Sequence, residues 1–250
     1  MTAGRPQAGV PALLIACVLL LPAAVVAKTV EGTPRADRIN GTAGKDRLAG
    51  GKGNDRISGR GAHDVLIGGD GRDRLRGGAA SDRLNGGRGN DRLDGSAGND
   101  RLRGGRGNDL LLGRAGLDRM FGDLGNDRLL GSVGADLLAG SDGDDTLVGA
   151  GGGDRLLGGK GNDNVDGGNG ADVLGGGAGL DHLQGGSGED RLIGGPGEDE
   201  LRGGDGNDRI DARDGSEDYI DCGPGEDTVR LGASEDGVID CENAVFPPGS

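Results

Sequence analysis

An aspartate returns every ninth residue from Asp37 to Asp208, without insertion or deletion. The repeated unit spans residues 32–211 in 20 copies, and we number its positions one to nine from Gly32. Position one is Gly in every copy, position six is Asp, and position eight is Leu, Ile, Val or Met. Carboxylates held close together disfavour ionisation of one another unless a cation neutralises them. The spacing therefore predicts a ladder of cation sites.

The remaining positions indicate how the chain presents these carboxylates. Position four is Gly in 17 copies and position five is Asn in seven. Gly and Asn tolerate positive φ, so positions one to six predict a tight turn. Positions seven to nine predict a three-residue strand, with the position-eight side chain facing inward.

Strands this short are stable only when coils stack. Two turns and two strands make one eighteen-residue coil, which holds two repeats, and successive coils pair as parallel strands. We therefore predict an all-β, parallel solenoid of ten coils, with two small sheets facing each other across the position-eight side chains.

Well-formed copies, such as "GGKGNDRIS" at residues 50–58 and "GGRGNDRLD" at 86–94, resemble the hemolysin-type calcium-binding repeat GGxGxDxUx, the RTX repeat. The resemblance covers residues 32–211 and implies a parallel β-roll that folds on binding several Ca²⁺ ions. It implies that turn carbonyls and the position-six carboxylates bind the metal. These residues are Asp37, Asp46, Asp55, Asp64, Asp73, Asp82, Asp91, Asp100, Asp109, Asp118, Asp127, Asp136, Asp145, Asp154, Asp163, Asp172, Asp181, Asp190, Asp199 and Asp208.

Stacked turns lie two repeats apart, so Asp55 should meet Asp73, and Asp91 should meet Asp109. Several turns depart from the pattern, with Arg60 replacing a second Gly and Leu117 replacing the usual Asn. We expect incomplete occupancy, with the tightest sites at 50–58, 68–76, 86–112 and 158–211.

The first 27 residues predict an export signal. Residues 8–27 carry no charge, and Val25 and Ala27 fit a small-residue cleavage site before Lys28. This favours a secreted protein. A lipoprotein modified at Cys17 and an uncleaved membrane anchor are the alternatives.

Residues 212–250 predict a cap made of degenerate repeats. The dipeptide Asp-Cys ends at Cys222 and again at Cys241, about one coil later in the chain. In an exported protein this spacing suggests a disulfide that closes the last coil. Two free thiols are the alternative.

The outward positions carry two further patterns. Position seven is Arg in 12 copies, which we interpret mainly as a solvated surface, with an anion-binding face as the alternative. Position nine is apolar at Leu112, Leu130 and Val148, which follow one another at intervals of two repeats, and Leu110 lies beside them. They predict an exposed apolar patch for a partner or for self-association. The alternatives are a local tolerance of apolar residues and a shift of register.

Composition and the absence of catalytic motifs restrict the classes of function that the chain can have. The chain has 250 residues, 60 of them Gly, and a formal net charge of −14, which argues against nucleic acid and anionic membranes as partners. No catalytic motif is present, and His63 and His182 lie within repeats. We therefore predict a non-enzymatic, secreted calcium-binding protein. The alternative is a surface or matrix interaction module in which calcium is only a scaffold.

Overall fold

The computed structural model describes residues 27–232, 237–239, 241 and 243–245. All 25 secondary-structure elements in these ranges are β-strands. They are β1 Thr29–Glu31, β2 Arg38–Asn40, β3 Arg47–Lys52, β4 Arg56–Arg60, β5 Val65–Asp70, β6 Arg74–Ala79, β7 Arg83–Arg88, β8 Arg92–Ala97, β9 Arg101–Arg106, β10 Leu110–Ala115, β11 Arg119–Leu124, β12 Arg128–Val133, β13 Leu137–Asp142, β14 Thr146–Gly151, β15 Arg155–Lys160, β16 Asn164–Asn169, β17 Val173–Ala178, β18 His182–Ser187, β19 Arg191–Ile193, β20 Glu200–Asp205, β21 Arg209–Ala212, β22 Tyr219–Asp221, β23 Thr228–Leu231, β24 Gly237–Ile239 and β25 Asn243–Val245.

The strands form two parallel sheets, and successive strands along the chain belong alternately to one sheet and to the other. The odd-numbered strands make a 13-stranded sheet, the odd sheet, and the even-numbered strands make a 12-stranded sheet, the even sheet. Neighbouring strands pair at an offset of two repeats, as in Leu111 with Leu129. The predicted all-β parallel solenoid with two repeats per coil is confirmed. It has about 12 coils rather than ten, because strands continue beyond Asp211.

Most strands have six residues, so the predicted three-residue strand is too short. Strand β6, for example, runs from position seven of one repeat to position three of the next. Its pairing with β8 continues to Ala79, opposite Ala97. The turn is correspondingly shorter, and the pairing extends through position two even where that residue is not Gly, as in Arg114 with Ser132.

Side chains alternate across each strand, and this alternation builds the core. In β6 the side chain of Leu75 and the residue Gly77 are buried, whereas Arg74 and Arg76 are exposed. One buried aliphatic side chain therefore enters the interior every nine residues, from Ile39 to Ile210. Because each such side chain packs against its equivalents in adjacent coils, the core is a stripe along the solenoid.

The C-terminal coils continue this stripe after a single extra residue. Arg191 pairs with Arg209 at the regular offset of two repeats, but the partner of Arg209 is Thr228, one position further along the chain than that offset. Ile220 and Val229 are buried in line with the earlier aliphatic residues. The offset then returns to 18 residues between β22 and β24, and it shortens to 15 between β23 and β25, where Thr228 pairs with Asn243.

The segment predicted to be a signal peptide lies almost entirely outside the residues that the structure describes. Residues 1–26, including Cys17, lie outside the described residues. Within the described ranges, no helix has the length and apolar character needed to cross a bilayer.

Candidate metal centre

The position-six aspartates form two columns, one at each edge of the solenoid. One column contains Asp91, Asp109 and Asp127, and the other contains Asp100 and Asp118. Each aspartate precedes a strand, and the alternation of that strand turns its side chain inward. All position-six aspartates from Asp46 to Asp208 are at most 4% exposed.

Hydrogen bonds to one carboxylate oxygen join each column from coil to coil. The backbone N–H of Asp91 donates to Oδ1 of Asp109 at 2.7 Å, and the N–H of Asp109 donates to Oδ1 of Asp127 at 2.7 Å. The expected meeting of Asp55 with Asp73 takes the same form, at 2.7 Å. Stacked aspartates therefore contact each other through the backbone N–H of one and a carboxylate oxygen of the next, and not through their two carboxylates.

The second oxygen of most of these carboxylates has no hydrogen-bond partner. Oδ2 is buried and unbonded within the described residues in Asp55, Asp64, Asp73, Asp82, Asp91, Asp100, Asp109, Asp118, Asp127, Asp136, Asp145, Asp154, Asp163, Asp172, Asp181, Asp190, Asp199 and Asp208. A buried, unpaired acceptor on a charged group is costly in free energy. A cation or a proton at these atoms would offset that cost.

The first two aspartates of the repeat region differ. Oδ2 of Asp37 accepts a hydrogen bond from the N–H of Thr33 at 2.6 Å, and Oδ2 of Asp46 accepts one from the N–H of Thr42 at 2.6 Å. Thr replaces Gly at position two in these two copies. Asp37 and Asp46 therefore have less need of a metal than the aspartates that follow.

Burial raises the pKa of the central carboxylates well above the usual aspartate value. The pKa values of Asp91, Asp100 and Asp109 rise to about 7, because burial penalises the charged form and neighbouring aspartates add repulsion. Hydrogen bonds from the backbone of the preceding coil oppose this shift only in part. Without a cation, these groups therefore hold protons up to near-neutral pH.

The invariant Gly at position one makes room for the carboxylate. A Cβ atom on Gly104 would collide with Oδ2 of Asp109 and lie 2.8 Å from the carbonyl oxygen of Gly122 in the next coil. This glycine has no positive φ, so the requirement is for space and not for backbone freedom. The unpaired Oδ2 and a main-chain carbonyl oxygen therefore approach the same point.

Oxygen atoms of this kind fit Ca²⁺. Calcium takes six to eight oxygen ligands from carboxylates and carbonyls, whereas softer metals prefer sulfur or nitrogen. Among the residues that the structure describes, no three His, Cys, Asp or Glu side chains are grouped to hold one ion. Each ion would therefore need main-chain carbonyls in addition to the aspartates.

None of the position-five Asn residues has a positive φ. The nine non-Gly residues with positive φ all occupy position two or four, at Arg60, Ala62, Ala80, Ser96, Arg114, Asp123, Ser132, Ser141 and Ala150. The position-five Asn residues serve a different purpose. Oδ1 of Asn54 accepts a hydrogen bond from the N–H of Arg72 in the next coil at 2.8 Å. The interpretation of Asn as a positive-φ residue is therefore wrong, and it acts as a link between stacked turns.

Two aspartates in the C-terminal segment extend the columns. Oδ1 of Asp218 accepts from the N–H of Asp199, and Oδ1 of Asp227 accepts from the N–H of Asp208, at 2.9 and 2.8 Å. Both are buried. Neither was among the predicted metal ligands. Each is nevertheless followed two residues later by an aliphatic residue, as every position-six aspartate is followed by the apolar residue at position eight.

The C-terminal cysteines lie on adjacent coils. The Cα atoms of Cys222 and Cys241 are 5.2 Å apart, and their Sγ atoms are at bonding distance. β22 and β24 pair at an offset of 18 residues, as in Asp221 with Ile239, so Cys241 lies one residue beyond the position in register with Cys222.

The predicted apolar patch is only partly exposed. Leu112 is 6% exposed and therefore buried, so its assignment to an exposed patch is wrong. Leu110, Leu130 and Val148 are half-buried. Leu112 lies between Asp94 and Leu130 on neighbouring strands, and the side chains of such a ladder cover one another.

Comparison with known proteins agrees with this geometry. The family model described as "RTX calcium-binding nonapeptide repeat (4 copies)" matches residues 31–66, 58–93, 94–129, 121–156, 148–183 and 184–216. No curated protein gives a match. The matches overlap or adjoin across most of the chain and coincide with the coils that carry the two aspartate columns. The chain therefore belongs to the RTX calcium-binding nonapeptide repeat family.

Proposed function

We propose that the protein is a secreted, non-enzymatic calcium-binding solenoid that folds when Ca²⁺ neutralises its buried aspartate columns. The observation that carries the proposal is the row of buried Oδ2 atoms, from Asp55 to Asp208, that have no hydrogen-bond partner in the described residues. Calcium would supply positive charge at these atoms and join one coil to the next. The protein side of each site would be the position-six carboxylate together with nearby turn carbonyls.

The charge balance supports coupling between binding and folding. In the unfolded chain each aspartate is hydrated and charged, whereas in the solenoid it is buried. A ligand that binds only the folded form stabilises it in proportion to the logarithm of its free concentration. We therefore expect an unfolded chain where calcium is scarce and a folded one in calcium-rich surroundings.

Export fits this dependence. The predicted signal peptide at residues 1–27 would deliver the chain to a compartment with enough calcium to saturate weak sites. There the Cys222–Cys241 pair would oxidise and fasten the last coils, adding about 3 kcal/mol by restricting the unfolded state. Residues 28–211 would form the calcium-binding roll and residues 212–250 its cap.

The direct test is circular dichroism of residues 28–250 during titration with Ca²⁺, with Mg²⁺ as the control. We expect β-signal to grow with calcium only, because Mg²⁺ demands a stricter geometry and keeps its water. A protein that stays compact and resists protease in EDTA at pH 8 would overturn the proposal.

A matched pair of variants links the effect to the column. Asp109→Asn removes one buried charge, and we expect it to reduce the number of bound ions and raise the calcium concentration at half-folding. Asp205→Asn makes the same chemical change at an exposed position-three residue. We expect this control to leave both quantities unchanged. Equal effects of the two variants would show that the position-six column is not the binding site.

A further inference from the structure

The outer face of the even sheet begins with an uncompensated row of arginines. Arg38, Arg56, Arg74 and Arg92 occupy position seven of β2, β4, β6 and β8, and the register places each directly beside the next. All four are exposed. None forms an ion pair within the described residues. Like charges directly opposite one another destabilise a sheet, so this row is suited to an anionic partner.

The other end of the same face has acidic side chains and no arginine at position seven. From β16 to β22 position seven holds Asn164, His182, Glu200 and Tyr219. Asp166 lies at position nine of β16 and is half-buried. Arg202 is the one arginine on these four strands, and it contacts Glu200, which also lies 2.8 Å from Nδ1 of His182. The face therefore changes from strongly basic to weakly acidic along the solenoid.

Between the two ends, position nine of β10, β12 and β14 is apolar, whereas position seven of β12 holds the exposed Arg128. Leu112 of β10 is in register with Leu130 of β12, and Leu130 with Val148 of β14. Leu130 and Val148 are half-buried, so part of each side chain is available for contact. The apolar residues at position nine thus separate the arginine-rich end from the end that carries Asp166 and Glu200, which is a self-complementary arrangement.

We propose that the even-sheet face binds the same face of a second copy in an antiparallel dimer. The two-fold axis would run along the strand direction between β10 and β12. A two-fold contact is isologous, so each residue pair occurs twice. This axis sets β10 opposite β12, β6 opposite β16 and β2 opposite β20.

This register brings opposite charges together at equivalent positions. Arg38 of one copy faces Glu200 of the other at position seven, and Arg76 faces Asp166 at position nine. Leu112 faces Leu130 at the centre. Every other charged residue at positions seven and nine faces an uncharged residue or His182, so no two like charges oppose each other.

The size of the face suits a reversible dimer. Ten strands at a spacing of about 4.8 Å, each presenting four residues, give roughly 600 Å² of each copy. Standard stable interfaces bury about 800 Å² of each partner. The dimer should therefore dissociate at low protein concentration, and more readily at high salt because much of its complementarity is ionic.

The odd sheet cannot pair in this way. Its position-seven residues include Arg83, Arg101, Arg119, Arg191 and Arg209, so arginines extend over both halves of the face. Antiparallel contact of two odd-sheet faces would oppose like charges. This face is therefore the natural control surface.

The test is sedimentation velocity of residues 28–250 in saturating calcium, over a range of protein and salt concentrations. Removal of residues 1–27 leaves every described strand in place, because the first begins at Thr29. We expect a monomer–dimer equilibrium that shifts to monomer as salt rises. Circular dichroism of the same samples reports whether the solenoid is folded.

Charge exchange identifies the face. Arg38→Glu should raise the dissociation constant about tenfold, and Arg38→Glu combined with Glu200→Arg should restore dimerisation. Leu130→Lys should abolish the dimer, since it places two like charges beside the axis. Arg83→Glu on the odd sheet should change nothing.

A folded monomer at all concentrations would overturn the dimer and leave the calcium proposal intact. A dimer indifferent to Leu130→Lys, a double exchange that fails to restore association, or growth into open-ended assemblies would overturn it as well. A solenoid that stays folded in EDTA at pH 8 would instead contradict calcium-dependent folding, and the dimer could still be measured.

Discussion

The interior of the solenoid and its outer faces follow different rules, although one nine-residue unit builds both. Inside, position one is always Gly, position six always Asp and position eight always aliphatic. Outside, position seven is Arg in 12 of 20 copies and otherwise ranges from Val65 and Leu110 to His182 and Glu200. Interior residues contact their equivalents in the adjacent coils, so one deviation disturbs two neighbours. Outer residues meet solvent, and they can vary to carry recognition.

The largest expected difference between the two regions is in their response to pH. The pKa of interior residues such as Asp109 and Asp145 is raised to about 7 by burial. In the folded, calcium-free chain these groups bind protons that the unfolded chain has lost above about pH 4. Stability without calcium should therefore fall as pH rises from about 4 through about 7.

The measurement is circular dichroism in EDTA between pH 5 and 8, followed by addition of calcium at pH 8. We expect β-signal to be lost with rising pH and to return with calcium, which replaces the protons. A signal that grows with pH in EDTA would contradict the assignment of raised pKa values to the interior.

A second prediction compares a core side chain with a surface side chain of similar character. Leu111 is fully buried, whereas Val133 is 68% exposed. Leu111→Ala should destabilise the calcium-bound protein by about 2–5 kcal/mol through lost burial and a cavity. Val133→Ala should change stability by less than about 0.5 kcal/mol. Urea denaturation of both variants in saturating calcium gives the comparison, and equal losses would refute the single-stripe core.

The smallest expected effect concerns backbone conformation. Ala150 occupies position two with φ of 79°, a conformation that costs an L-residue free energy. Ala150→Gly should stabilise the protein by up to about 1 kcal/mol. Ala97 is an exposed strand residue without positive φ. Ala97→Gly should have the opposite sign, destabilising by about 0.5–1 kcal/mol. The same sign for both substitutions in thermal denaturation would show that φ does not determine the difference.

Some features followed directly from the sequence. The nine-residue period required a repeating unit, and the single aliphatic side chain per unit required stacked coils to bury it. Those two facts predicted parallel strands paired at an offset of two repeats, which the pairing of Leu111 with Leu129 confirms. Asp at position six likewise identified the carboxylate columns before their geometry was known.

Other features depended on contacts that no linear pattern contains. Only the stacked coils show that Oδ1 of Asp109 is used by a backbone N–H while Oδ2 is left without a partner. The same is true of Gly104, whose missing side chain makes room for that carboxylate. The burial of Leu112 also follows from its neighbours across the sheet. Period and composition are properties of the chain, so the sequence determined the architecture. Which oxygen is satisfied and which apolar atom is covered depend on atoms in the adjacent coils, so only the tertiary structure decided them.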